Sequence, residues 1–204
     1  MSDNEPRPAP SVAKSGLPVR AFTSAKTWET WLSKNHDKSP GLWLKFAKKD
    51  SGAKSVAKTD AIDIALAWGW IDGHLSGYDD AWFLTKFTPR RAKSGWSKVN
   101  TRRVQALIDA GKMREPGLAH VEAAKADGRW DAAYDSQSTA QIPPELAVAL
   151  KKNKKAAAFY ATLKSANRYA IFYRLTTAKK PETRAARLEK IVAMLERGEK
   201  FHLV

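Results

Sequence analysis

Hydrophobic positions change period several times along the chain, and each change marks an element. Trp28, Trp31 and Leu32 recur at i, i+3 and i+4 behind Ser24 and Thr27, either of which can cap a helix. That pattern predicts an amphipathic helix stopping around Asn35. After the Pro40-Gly41 turn, Leu42, Leu44 and Phe46 alternate as one face of a strand that Asp50-Ser51-Gly52 ends. Helical spacing returns with Ile62, Ala65 and Leu66 behind Thr59, and Gly69 stands where a left-handed residue would close that helix. From Trp70 to Ser76 the period becomes two, with Ile71 and Leu75 on one face and Trp70, Asp72 and His74 on the other. A Gly77-Tyr78-Asp79-Asp80 turn then leads into a second strand, Trp82 to Thr88, as an antiparallel hairpin ended by Pro89.

Beyond Pro89 only helical spacing recurs. Val104, Leu107 and Ile108 mark a helix closing at Gly111, and another runs from Pro116 to Ala126 before Asp127-Gly128. Between Trp130 and Ile142 the pattern dissolves into Ser, Thr and Gln, which reads as a linker over 131–142. Pro143-Pro144 starts a helical tail, with Pro144 suited to the first helical position and Glu145 to the positive end of the dipole. Its segments run from Pro144 to Lys152, from Lys155 to Thr176 with a break near Lys164-Ser165, and from Glu182 to Arg197. Phe159, Leu163, Ala166, Ala170 and Tyr173 share one face, and Leu188, Ile191, Val192 and Leu195 share another; both stripes need helical partners. Residues 1–20, rich in Pro, Ser and Ala without periodicity, read as a disordered leader. The fold class is therefore α+β: a small antiparallel sheet with packed helices over 21–130, followed by an all-helical C-terminal subdomain over 143–204.

Composition narrows the chemistry. The 204 residues contain no cysteine, which excludes disulfides, thiolate metal sites, iron–sulfur clusters and a cysteine nucleophile. No apolar run approaches the roughly 18 residues of a spanning helix, and the N-terminus lacks the apolar core of a secretory signal, so a cytoplasmic protein is expected. An excess of 36 Lys and Arg over 21 Asp and Glu gives a net charge of +15, which attracts anions at long range.

Two constellations stand out. Strand alternation puts Asp72 and His74 on one face about 7 Å apart, close enough to share a ligand or a water, with Trp70 beside them. The polar stretch that follows the hairpin carries Arg90, Arg91, Ser94, Trp96, Ser97, Asn100 and Arg103 into a helix. Guanidinium forks grip carboxylate or phosphate oxygens in pairs, and hydroxyls and amides at a helix start add neutral donors. Capping alone is the competing role for Ser94, Ser97 and Asn100. Together these ten residues form the expected pocket for a small anionic molecule: Trp70 and Trp96 as walls, Arg90, Arg91 and Arg103 on the anionic oxygens, Ser94, Ser97 and Asn100 orienting, Asp72 and His74 at the opposite end.

Nucleic acid is the alternative partner, since Trp82, Phe83, Lys86, Phe87, Arg90 and Arg91 interleave rings with cations. Enzymatic readings have less support. No strained nucleophile elbow accompanies Ser94 or Ser97, and Asp79-Asp80, which with Asp72 and His74 would make up a metal set, is accounted for by turn chemistry. No glycine-rich phosphate loop is present, and no cofactor is expected.

Several uncommon segments occur in a telling order: Ala65-Leu66-Ala67-Trp68-Gly69-Trp70-Ile71-Asp72-Gly73, Phe87-Thr88-Pro89-Arg90-Arg91, Ser94-Gly95-Trp96-Ser97 with Asn100, Asp127-Gly128-Arg129-Trp130, and Glu182-Thr183-Arg184 with Arg187. Over about residues 21 to 200 the chain resembles the YdeI/OmpD-associated family, also called bacteriocin-protection proteins. The resemblance implies a bacterial cytosolic protein connected with tolerance of antimicrobial peptides. It implies neither catalytic residues nor a cofactor.

Overall fold

The computed structural model describes residues 12, 14–137 and 139–201. Most of the leader expected over 1–20 lies outside the described residues. The chain divides into two compact units, one comprising 1–96 and 100–132 and the other 97–99 and 133–204.

The first unit is built from β1 (Val19–Ala21), α1 (Ala25–Asn35), β2 (Leu42–Ala47), α2 (Lys58–Ala67), β3 (Trp70–Gly77), β4 (Trp82–Pro89), most of α3 (Lys98–Asp109) and α4 (Glu115–Ala126). The strands form one sheet in the order β1-β2-β4-β3. β4 pairs antiparallel with both neighbours, as the hairpin pattern predicts. The sheet is nonetheless mixed, because β1 pairs parallel with β2. At three residues β1 is too short for alternation to register, and two of its residues fall within the stretch read as leader.

Ser24 caps α1 through a reciprocal box with Thr27, as the sequence indicates. Thr59 does not cap α2: the helix begins one residue earlier, behind Ala57, and the Thr59 hydroxyl donates to Asp60 instead. The core lies where α1 and α2 cover one face of the sheet. Leu42, Leu44 and Phe46 of β2 pack there with Trp28, Leu32, Ala61, Ala65, Trp70 and Phe87. Trp28 is the hub: its ring lies parallel to Trp31 at 5.6 Å and edge-on to Trp70 and Phe87, while its indole N–H donates to the Ala61 carbonyl at 3.1 Å. The other face of β2 is covered as well, with Trp43 against Val12 and Leu84.

Gly69 has φ +74, the left-handed conformation expected of it, and a Cβ there would meet the His120 ring at 2.9 Å and the Pro116 carbonyl at 3.0 Å. Gly117 of α4 has no room for a Cβ either, with the Leu66 carbonyl 2.8 Å away and the Ala67 carbonyl closer still. The end of α2 thus sits directly on the start of α4.

The second unit contains α5 (Pro144–Lys152), α6 (Lys154–Thr162), α7 (Ser165–Thr176) and α8 (Pro181–Glu196). The expected break falls at Leu163 and Lys164, whose extended backbone separates α6 from α7. The break also splits the predicted stripe: Leu163 and Ala170 are buried, whereas Ala166 points to solvent. Asn153 caps α6, accepting from the Ala156 N–H at 3.0 Å. Leu146, Leu150, Ala156, Leu163, Ile171, Leu175, Ile191 and Leu195 give this unit its own core.

Candidate functional site

The register of β3 decides the first constellation. Asp72 lies opposite Phe87 and Leu75 opposite Thr85, so Gly73 and His74 together face the single residue Lys86. This is a β-bulge, and beyond it the alternation inverts. Leu75 therefore shares a face with Asp72 rather than with Ile71, and His74 moves to the Trp43 side of the sheet, its ring edge-on to Trp43 at 6.2 Å. Asp72 and His74 do not converge. Trp70 belongs to the core, 1% exposed, its indole N–H donating to the His36 carbonyl at 3.0 Å.

Asp72 finds other company. Burial pushes its carboxyl above the ordinary value, opposed in part by the charges of Lys58 and Arg103. Arg103 is bonded to Asp63 at 2.7 Å. Of the ten predicted residues, Asp72 and Arg103 are thus brought together, alongside Lys58 and Asp63, which sequence reasoning missed because they sit on the preceding helix. Arg103 is thus already paired with a carboxylate rather than left for an anion. The raised carboxyl fixes the sign of a pH effect. Folded protein holds the Asp72 proton at pH values where unfolded chain has lost it, so stability falls as pH rises from the ordinary aspartate range through the raised value. Urea unfolding should find Asp72→Asn more stable than wild type at neutral pH, with the difference vanishing in acid below the ordinary aspartate range.

Arg90 and Trp96 do converge, but on each other. Arg90 is 4% exposed, its guanidinium lies 3.6 Å over the Trp96 ring, and both terminal nitrogens donate to the Gly95 carbonyl, at 3.3 and 3.2 Å. Its backbone N–H donates to Gly69. Trp96 meets Trp130 edge-on at 5.1 Å, and Arg129 ties Asp127 to the Ser94 carbonyl. The ring expected to wall a ligand is instead covered by the arginine expected to bind one. Nearby, burial and the charges of Arg90 and Arg129 hold His120 below its ordinary pKa.

The remaining predicted residues scatter. Arg91 is exposed, and Asn100 is half-buried in the first turn of α3. Ser97 pairs through its backbone with Tyr134 within the second unit. The proposed ring-and-cation surface along β4 divides too, since Phe87 is core, Phe83 stacks on Phe46 and Arg90 is buried. Asp79 serves its turn, accepting from the Ala81 and Trp82 N–H groups at 2.9 and 2.7 Å. Among the described residues no group of three His, Asp or Glu side chains could hold a metal ion. Three buried donor groups there lack a partner: the indole N–H groups of Trp68 and Trp96 and the Thr85 hydroxyl.

An α+β unit with an Arg103–Asp63 ion pair and a buried arginine–tryptophan stack, together with a separate unit of four helices, defines the class of this protein. Residues 139–198 match the bacteriocin-protection, YdeI or OmpD-associated family, so the helical unit carries a domain of that family. Residues 20–120 match a domain of unknown function, DUF8412, and the motifs from Ala65 to Asn100 lie in that part. No curated protein and no solved structure matches the chain. No helix among the described residues is long and apolar enough to cross a membrane.

Proposed function

We propose that this is a cytoplasmic protein of bacteriocin and antimicrobial-peptide tolerance that acts by binding a small anionic ligand. The observation that carries the reading is the charge of the YdeI/OmpD-associated domain: residues 139–198 hold 13 Lys and Arg against four Asp and Glu. A surface of that sign concentrates anions and repels cationic peptides, so tolerance by sequestering a cationic peptide is electrostatically disfavoured. Nucleic acid shares the attraction, but the rings and cations of β4 do not line one groove.

In a bacterial host deleted for the protein, restoring the full chain should raise survival under a cationic antimicrobial peptide. The purified chain should bind small anions with a shallow dependence on salt. Unchanged survival would overturn the tolerance reading. Polynucleotide binding that falls steeply with salt, without small-anion binding, would replace the ligand class.

A further inference from the structure

Two carboxylates of the helical unit, Glu145 and Glu199, are paired away from one pocket. Arg184 pairs with Glu145 at 2.6 Å and Arg197 with Glu199 at 2.9 Å. Between the end of α7 and the middle of α8 lies a pocket of about 480 Å³ lined by Arg174, Arg187 and Lys190, by Tyr173 and Phe201, and, among the described residues, by no acidic one. That volume falls within the range of small-molecule sites.

The two arginines are held in place by single bonds that leave most of their donors unused. Arg174 donates Nη1 to the Ala170 carbonyl at 3.2 Å and lies 3.8 Å over the Phe201 ring. Arg187 donates Nη1 to the Arg174 carbonyl at 2.7 Å. Lys190 makes no hydrogen bond or ion pair among the described residues. The C-terminal end of α7 offsets these charges by only about half a unit, against three positive side chains. A surplus of positive charge remains in the pocket. Tyr173, 37% exposed and edge-on to Tyr134 at 4.9 Å, presents an aromatic wall beside it.

We propose that this pocket binds a phosphate-bearing small molecule, with Arg174, Arg187 and Lys190 on the phosphate oxygens and Tyr173 and Phe201 against the organic part. Fixed guanidinium planes suit bidentate contact with tetrahedral oxyanions, and Lys190 supplies a movable point charge. The proposal rests on the anion-binding reading and names its site and ligand class.

The test is calorimetric titration of the full chain with inorganic phosphate, adenosine monophosphate and citrate at constant ionic strength. Wild type should bind both phosphate compounds. Lys190→Glu should weaken them by about tenfold or more, the loss of one close charge pair and its replacement by repulsion. Lys164→Glu, the same charge change at an exposed site of this unit, should leave them within about twofold. Lys190 has no structural partner, so the variant keeps the fold. Equal weakening by the two variants would overturn the pocket while leaving anion binding intact, and so would binding of citrate alone. Binding of none of the three would overturn both.

Discussion

Arg90→Ala is expected to destabilise the first unit by about 3 kcal/mol, the combined worth of a desolvated cation–π contact and charged hydrogen bonds. Arg91→Ala, next in the chain but exposed, should stay within about 0.5 kcal/mol of wild type. The measurement is unusually clean, because all eight tryptophans lie within residues 1–132 and outside 97–99, so urea unfolding followed by tryptophan fluorescence reports the first unit alone. A second readout separates this from general damage. The His120 ring should titrate below its ordinary value in wild type and move upward in Arg90→Ala, since the Arg90 charge helps depress it. An arginine reserved for a ligand would behave differently: its removal would leave ligand-free protein nearly as stable and His120 unmoved.

Trp28→Ala should cost about 3–5 kcal/mol by the same fluorescence-detected unfolding. The side chain is fully buried, meets four other rings and donates its indole N–H to the Ala61 carbonyl. Trp28→Phe separates the contributions. It keeps an aromatic ring in the cluster and removes the indole donor, while the Ala61 carbonyl stays within the backbone ladder of α2, so a loss of about 1–2 kcal/mol is expected from the lost hydrogen bond and the smaller ring. A loss below about 1 kcal/mol for the alanine variant would mean that the core is not centred on this ring.

Much of this architecture is written in local periodicity. The α1 stripe of Trp28 and Leu32, the strand face of Leu42, Leu44 and Phe46, and the hairpin turn at Asp79 follow from spacing and turn chemistry, and all occur. The candidate site was less legible because its assembly depends on events that spacing does not encode. One inserted residue at Gly73-His74 reverses the sidedness of everything after it in β3. The available signal was Gly73, since a glycine inside a strand often marks a bulge. Burial of Arg90 runs against the usual exposure of arginine, and only the nearby Trp96 hinted that the charge had a ring to cover. The pocket of the helical unit draws Arg174, Arg187 and Phe201 from separate turns. Tyr173, read from helical spacing as part of a buried stripe, stays partly exposed because the break at Leu163-Lys164 interrupts that stripe.

Two-dimensional ¹H–¹⁵N NMR of the full chain during a phosphate titration at constant ionic strength tests the central claim most directly. That claim is that the anion site belongs to the helical unit and that the Trp70–Asn100 stretch serves the fold. Saturable shifts should concentrate at Tyr173, Arg174, Thr177, Arg187, Lys190 and Phe201. Saturable shifts at Asp72, Arg91, Asn100 and Arg103 instead, with the α7–α8 pocket silent, would contradict it.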